Sequence, residues 1–216
     1  MAESDHSEHN SLMDSGETHR LFYAVMLSPE LVDTIRRIQS RARIDLPSGI
    51  RWVRPDQAHI TLAFLGDVNA SLIPELSTIL DDVVSTYQPL QLKVEGIGGF
   101  PRAEKPRVIW AGIHGTDLSQ LISLHHELWA RLQTIMPPSE FAMKEFHPHV
   151  TLARVPGAQP HRLAEWMKKH AGWSFGKLCT TEIVLMKSIL TDQGPVYSAL
   201  TKMPLQLPSP EKNQKS

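Results

Sequence analysis

The chain has 216 residues, with 22 Lys+Arg against 23 Asp+Glu and 41% hydrophobic residues, proportions that suit one soluble domain with a real core. A formal net charge of -1 excludes a protein that coats nucleic acid by bulk electrostatics. The single cysteine, Cys179, excludes an internal disulfide framework and a Cys-based zinc finger, and no window reaches the ~18 uninterrupted apolar residues of a membrane span.

Residues 1–19 are polar and rich in Ser, His and Glu, with acidic groups where a signal peptide would be basic. They read as a disordered tail and leave the cytoplasm as the expected location. LFYAVML (21–27) is a short apolar strand run closed by Ser28-Pro29, an N-cap followed by Pro at the first helical position. Leu31, Ile35 and Ile38 continue at helical spacing until Pro47-Ser48-Gly49. IRWV (50–53) and HITLAFL (59–65) read as strands, the second closed by Gly66-Asp67. A helix is expected over about 70–86 on Leu72, Leu76, Ile79, Leu80 and Val83. LQLKVEGI (90–97) alternates as a half-buried strand, and RVIWAGI (107–113) is another.

The second half repeats this grammar. Leu118, Leu121, Leu124, Leu128 and Leu132 mark a long amphipathic helix ending near Pro137-Pro138. HVTLARV (149–155) is a strand, 160–170 a short helix around Leu163, Trp166 and Met167, and strands 181–190 and 196–203 flank a turn at Asp192-Gln193-Gly194. The proline-bearing end from Pro204 reads as a second tail, so the folded body is expected over 20–203. Strands and helices in both halves predict an α/β or α+β body of two similar lobes.

The most informative feature is an internal echo: His59-Ile60-Thr61-Leu62-Ala63 recurs as His149-Val150-Thr151-Leu152-Ala153. In a strand, positions i and i+2 share a face. His59 and Thr61 therefore project together, over Ile60, Leu62 and Phe64 in the core, as do His149 and Thr151 over Val150 and Leu152. Two imidazoles converging on one cleft suit in-line displacement at phosphorus. One neutral His takes a proton from water and one protonated His gives a proton to the leaving oxygen, both forms being accessible near neutrality. The threonine hydroxyls would donate to the non-bridging oxygens. No metal is required.

These paired motifs, with RLFYAVMLSP, RWVRPDQAHITLAFLGDV, GIGGFPRAEKPRVIWAGI and FHPHVTLARV around them, resemble the 2H phosphoesterase superfamily. Within it the resemblance is to the RNA 2′,3′-cyclic phosphodiesterases, also called 2′-5′ RNA ligases, over about 20–204. The resemblance implies an α+β, bilobal fold with antiparallel sheets lining a central cleft and helices outside. It implies hydrolysis of an RNA-terminal 2′,3′-cyclic phosphate to a 2′-phosphomonoester without metal or cofactor, His59 being proton donor and His149 proton acceptor. The nearly symmetric repeat itself leaves those two roles open.

Arg154 is a natural phosphate clamp, although strict alternation points it with Val150 and Leu152, away from His149. Arg51, Trp52 and Arg54 offer charge and a stacking surface for RNA. His147-Pro148-His149 and His125-His126-Glu127 lack a carboxylate at firm ligand spacing, so no metal site is expected. The expected partner is RNA with a cyclic phosphate end, not DNA or membrane, bound by a monomer. Ligation of 2′-5′ RNA and hydrolysis of cyclic mononucleotides use the same site, and a non-catalytic RNA-binding module is the reading from another class. Two matched proton-transfer groups argue against the last, since binding alone needs neither.

Overall fold

The computed structural model describes residues 16–46, 48–136, 145–157, 162–192 and 194–206. Residues 1–15 of the tail expected over 1–19, residues 207–216 of that expected over 204–216, Pro47 of the first helix stop, the Pro137-Pro138 stop, the start of the 160–170 helix and Gln193 of the last turn lie outside them.

Strand β1 (Thr18–Met26) begins earlier than its apolar run because its polar first residues pair along β3 (His59–Asn69), Thr18 opposite Asn69. Helix α1 (Pro29–Asp45) starts at the expected cap: the Ser28 side chain accepts from the Leu31 N–H, and Pro29 opens the helix. A short strand, β2 (Arg51–Trp52), precedes β3. The helix expected over 70–86 divides into a 3₁₀ turn at Ala70–Leu72, capped by Asn69, and α2 (Ile73–Val84). Then follow β4 (Leu90–Phe100), β5 (Val108–His114), α3 (Leu118–Leu132), β6 (His149–Arg154), α4 (Leu163–Lys169), β7 (Ser174–Thr180), β8 (Glu182–Thr191) and β9 (Gly194–Pro204). Strand β7 escapes the pattern reading: its buried positions, Phe175, Leu178 and Thr180, do not keep a period of two, since Gly176 takes φ +134° where its pairing with β4 slips between Val94 and Glu95.

Among the described residues the strands form one nine-stranded antiparallel sheet in the order β7-β4-β5-β6-β3-β1-β8-β9, with β2 on β6. Leaving aside β2, the sheet has two four-stranded halves, and β3 and β6 join them through a single register pair, Ile60 opposite Val150. The architecture is the expected α+β fold of two lobes, but the lobes are not the two halves of the sequence. The lobe holding β3 takes its outer strands from the C-terminal end, and the lobe holding β6 takes β4 and β5 from the middle. One contiguous core spans both lobes, filled from α1 by Leu31 and Ile35, from α2 by Leu76 and Leu80, and from α3 by Leu121 and Leu128. No described helix is long and apolar enough to cross a membrane.

Candidate active site

The two motif strands meet at Ile60 and Val150, both fully buried. About that pair the antiparallel phase sets His59 beside Thr151 and Thr61 beside His149, on the face opposite the core. The burial sequences from each histidine are identical: half-buried, buried, half-buried, buried, buried, exposed, for His59 to Phe64 and for His149 to Arg154.

Each histidine is oriented by the carbonyl two residues before it. Nδ1 of His59 lies 2.8 Å from the Gln57 oxygen, and Nδ1 of His149 lies 2.7 Å from the His147 oxygen. A carbonyl only accepts, so each Nδ1 carries the hydrogen and Nε2 is the nitrogen free to exchange a proton. His59 Nε2 is 3.1 Å from Thr61 Oγ1. The His59 ring stacks on Phe22 at 4.9 Å with the Tyr197 ring edge-on at 5.3 Å, while His149 has Phe100 edge-on at 5.0 Å. Burial holds both histidines below their ordinary range, opposed by the backbone hydrogen bond to each. Positive charge on His149 further disfavours protonation of His59, and His147 and Arg154 act in the same sense on His149.

A cavity of about 780 Å³ opens on this face, lined by His59, Thr61, Thr151 and Arg154 among others. His149 does not line it; the ring is coupled to it electrostatically, through His59 and Arg154. Four arginines, Arg20, Arg51, Arg54 and Arg154, stand in the wall against one aspartate, Asp192. Arg54 spends its charge on Asp56 at 2.6 Å. Arg20 and Arg154 both pull down the ionisation of Tyr197, whose hydroxyl burial pushes up. The cavity is therefore built for an anion. Trp52 lines it beside Arg51.

Two positions differ from the alternation reading, for one physical reason. Pairing of β5 with β6 runs Ile109–Ala153 and then Trp110–Thr151, leaving Leu152 as an extra residue. Pairing of β1 with β3 runs Tyr23–Ala63 and then Ala24–Thr61, leaving Leu62 extra. Each β-bulge reverses the facing of the residues beyond it. Arg154 thus returns to the face of His149, and Phe64 leaves the core to line the cavity, 44% exposed under the Arg20 guanidinium at 4.8 Å. Tyr197, Arg20 and Ser188 also line the cavity; they lie far from the motifs in sequence, and no local pattern marks them.

Among the described residues no group of three or more His, Cys, Asp or Glu side chains is placed to hold a metal. His125 turns its Nδ1 to the Leu62 carbonyl at 2.7 Å, and His147 lies 3.4 Å from Glu145.

The family model for LigT-like phosphoesterases matches residues 25–110 and 124–197. An RNA 2′,3′-cyclic phosphodiesterase of Archaeoglobus fulgidus is 32% identical over 181 residues, 84% of this chain and 97% of that protein. The enzyme of the same name from Aquifex aeolicus is 32% identical over 184 residues, 84% of this chain and 94% of its own. A crystal structure of a Thermus thermophilus protein superposes with a TM-score of 0.75 at 28% identity, covering 87% of this chain and 98% of that one. E. coli LigT complexed with 3′-AMP gives 0.67 at 27% identity, covering 88% and 99%.

Proposed function

The chain belongs to the LigT-like phosphoesterases, and on that premise we propose that it hydrolyses the terminal 2′,3′-cyclic phosphate of RNA to a 2′-phosphomonoester without metal, as a cytoplasmic monomer. The observation that carries the reading is the matched pair of imidazoles on β3 and β6, each with Nδ1 committed to a backbone carbonyl and Nε2 left for proton exchange. Water attacks phosphorus while His149 Nε2 takes its proton. The bond from phosphorus to the 3′ oxygen breaks, and that oxygen takes the proton from His59 Nε2. The Thr61 and Thr151 hydroxyls donate to the non-bridging oxygens, and Arg154 holds their charge. Each proton has a donor and an acceptor in the chain, so no step calls for a Lewis acid. The assignment of donor to His59 and acceptor to His149 follows the resemblance, and the relatives' names support the substrate.

The test is an oligoribonucleotide ending in a 2′,3′-cyclic phosphate, incubated with the protein in excess EDTA and its ends resolved. A 2′-phosphate end is expected, and His59→Ala and His149→Ala should each lose at least ~10²-fold in rate while melting like the parent. A metal requirement, a 3′-phosphate product or near-parental activity of either variant overturns the mechanism.

A further inference from the structure

Two buried polar side chains stand outside the chemistry above, and they occupy matching places. Gln39, on the inner face of α1, is 3% exposed, and His125, on the inner face of α3, is 4% exposed. Gln39 Nε2 donates to the Leu152 carbonyl at 3.2 Å and to the Val53 carbonyl at 2.9 Å. His125 Nδ1 donates to the Leu62 carbonyl at 2.7 Å. Leu152 and Leu62 are the bulged residues that precede Arg154 and Phe64. A bulge leaves its extra residue out of step with the ladder, and a buried carbonyl there needs a partner from elsewhere. At Leu62 it comes from His125 on α3. At Leu152 the Val53 N–H already donates at 2.9 Å, and Gln39 on α1 adds a second bond that ties this carbonyl to that of Val53.

The imidazole is a costly way to fill core volume. Its Nε2 is buried without a hydrogen-bond partner, where a leucine would leave no polar atom to desolvate. What the imidazole contributes in return is the bond to Leu62. Beyond each bulge comes a side chain turned from the core into the cleft: Arg154 after Leu152, Phe64 after Leu62. Without the bulge, alternation would return both to the core side.

We propose that Gln39 and His125 are positioning residues, which hold the carbonyls of Leu152 and Leu62 and so fix the bulges that aim Arg154 and Phe64 into the cleft. In its kinetic consequences this rests on the phosphodiesterase reading; in its binding consequences it stands on the cleft alone.

The test is a double-mutant cycle on the affinity for adenosine 2′-monophosphate, measured by calorimetry. Arg154→Ala should weaken binding about tenfold, the scale of one charge-assisted hydrogen bond. Gln39→Met, which keeps the volume and removes the donor, should weaken it by a similar factor. The double variant should bind no more weakly than Arg154→Ala, because Gln39 acts through Arg154. Losses that multiply, or a Gln39→Met protein that binds like the parent, overturn the proposal. Should Gln39→Met fail to fold, the His125 arm decides. His125→Gln restores a donor and should keep the parental KM on the cyclic-phosphate RNA, whereas His125→Leu and Phe64→Ala should raise it alike and not additively. A parental KM in His125→Leu overturns the proposal for that residue. A parent protein that binds adenosine 2′-monophosphate but leaves the cyclic phosphate intact refutes the reaction; the binding cycle, run in the same way with His125→Leu and Phe64→Ala, then decides the positioning role.

Discussion

At His59 and His149 one backbone hydrogen bond determines which nitrogen does chemistry, and the surroundings set when it can. Both imidazoles lie below 6.5, burial being the largest cause. Under the proposed mechanism one must be neutral and the other charged, so the free enzyme is competent only where the acid retains its proton. The kcat/KM profile is therefore expected to peak at or below pH ~6.5 and to fall on the alkaline side. A bound phosphate anion favours imidazolium, so the kcat bell should sit higher in pH than that of kcat/KM. A kcat/KM still rising above about pH 8 would contradict the two-histidine scheme. Arg154 adds a second sign: its positive charge lowers His149. Arg154→Ala should move the His149 titration upward, as read from its imidazole proton resonances. An unmoved or lowered titration would separate the guanidinium from the site. The four motif residues are legible in the sequence because strand alternation needs no tertiary information.

Among the elements, alternation holds up to the bulges and fails beyond them. A bulge is decided by how two distant strands share hydrogen bonds, so nothing within HITLAFL or HVTLARV marks Leu62 or Leu152 as the extra residue. Alternation alone therefore assigns Phe64 to the core and turns Arg154 away from the cleft. The pairing of β4 with β5 shows the same dependence on distant contacts. Gly98 faces Trp110 across the ladder, and a Cβ built there would come within 2.1 Å of the indole ring. Trp110 is in turn paired with Thr151 and lies 6.3 Å from the His149 ring, centroid to centroid. Gly98→Ala should displace the indole toward the motif strand and cost about 1–3 kcal/mol, the usual range for overpacking. A lowered melting temperature together with a shifted tryptophan emission is the expected result. A variant that melts and fluoresces like the parent would mean that the indole yields freely.

The whole molecule explains why two lobes are legible and their make-up is not. Hydrophobic periodicity reports elements in chain order, whereas the lobes exchange strands: β8 and β9 complete the sheet around β1, and β6 and β7 complete the one around β4 and β5. A cut in the turn after Gly115 divides the sequence between its similar halves but divides both lobes as well. Residues 1–116 would retain two separate strand pairs, β1 with β3 and β4 with β5, joined by no ladder. Residues 117–216 would retain β8 with β9, and leave β6 and β7 without their partners. Two-stranded pairs are marginal at best in water, and the single core that spans both lobes would be opened along its length. Neither fragment should fold alone. Each is expected to give collapsed amide dispersion in its proton–nitrogen spectrum, and mixing the two should restore the dispersed spectrum, because only together do β3 and β6 meet at Ile60 and Val150. A native-like spectrum from residues 1–116 alone would show that the first motif strand does not depend on the strands that close its lobe. The two histidines would then belong to separable domains, contrary to the continuous sheet that joins them.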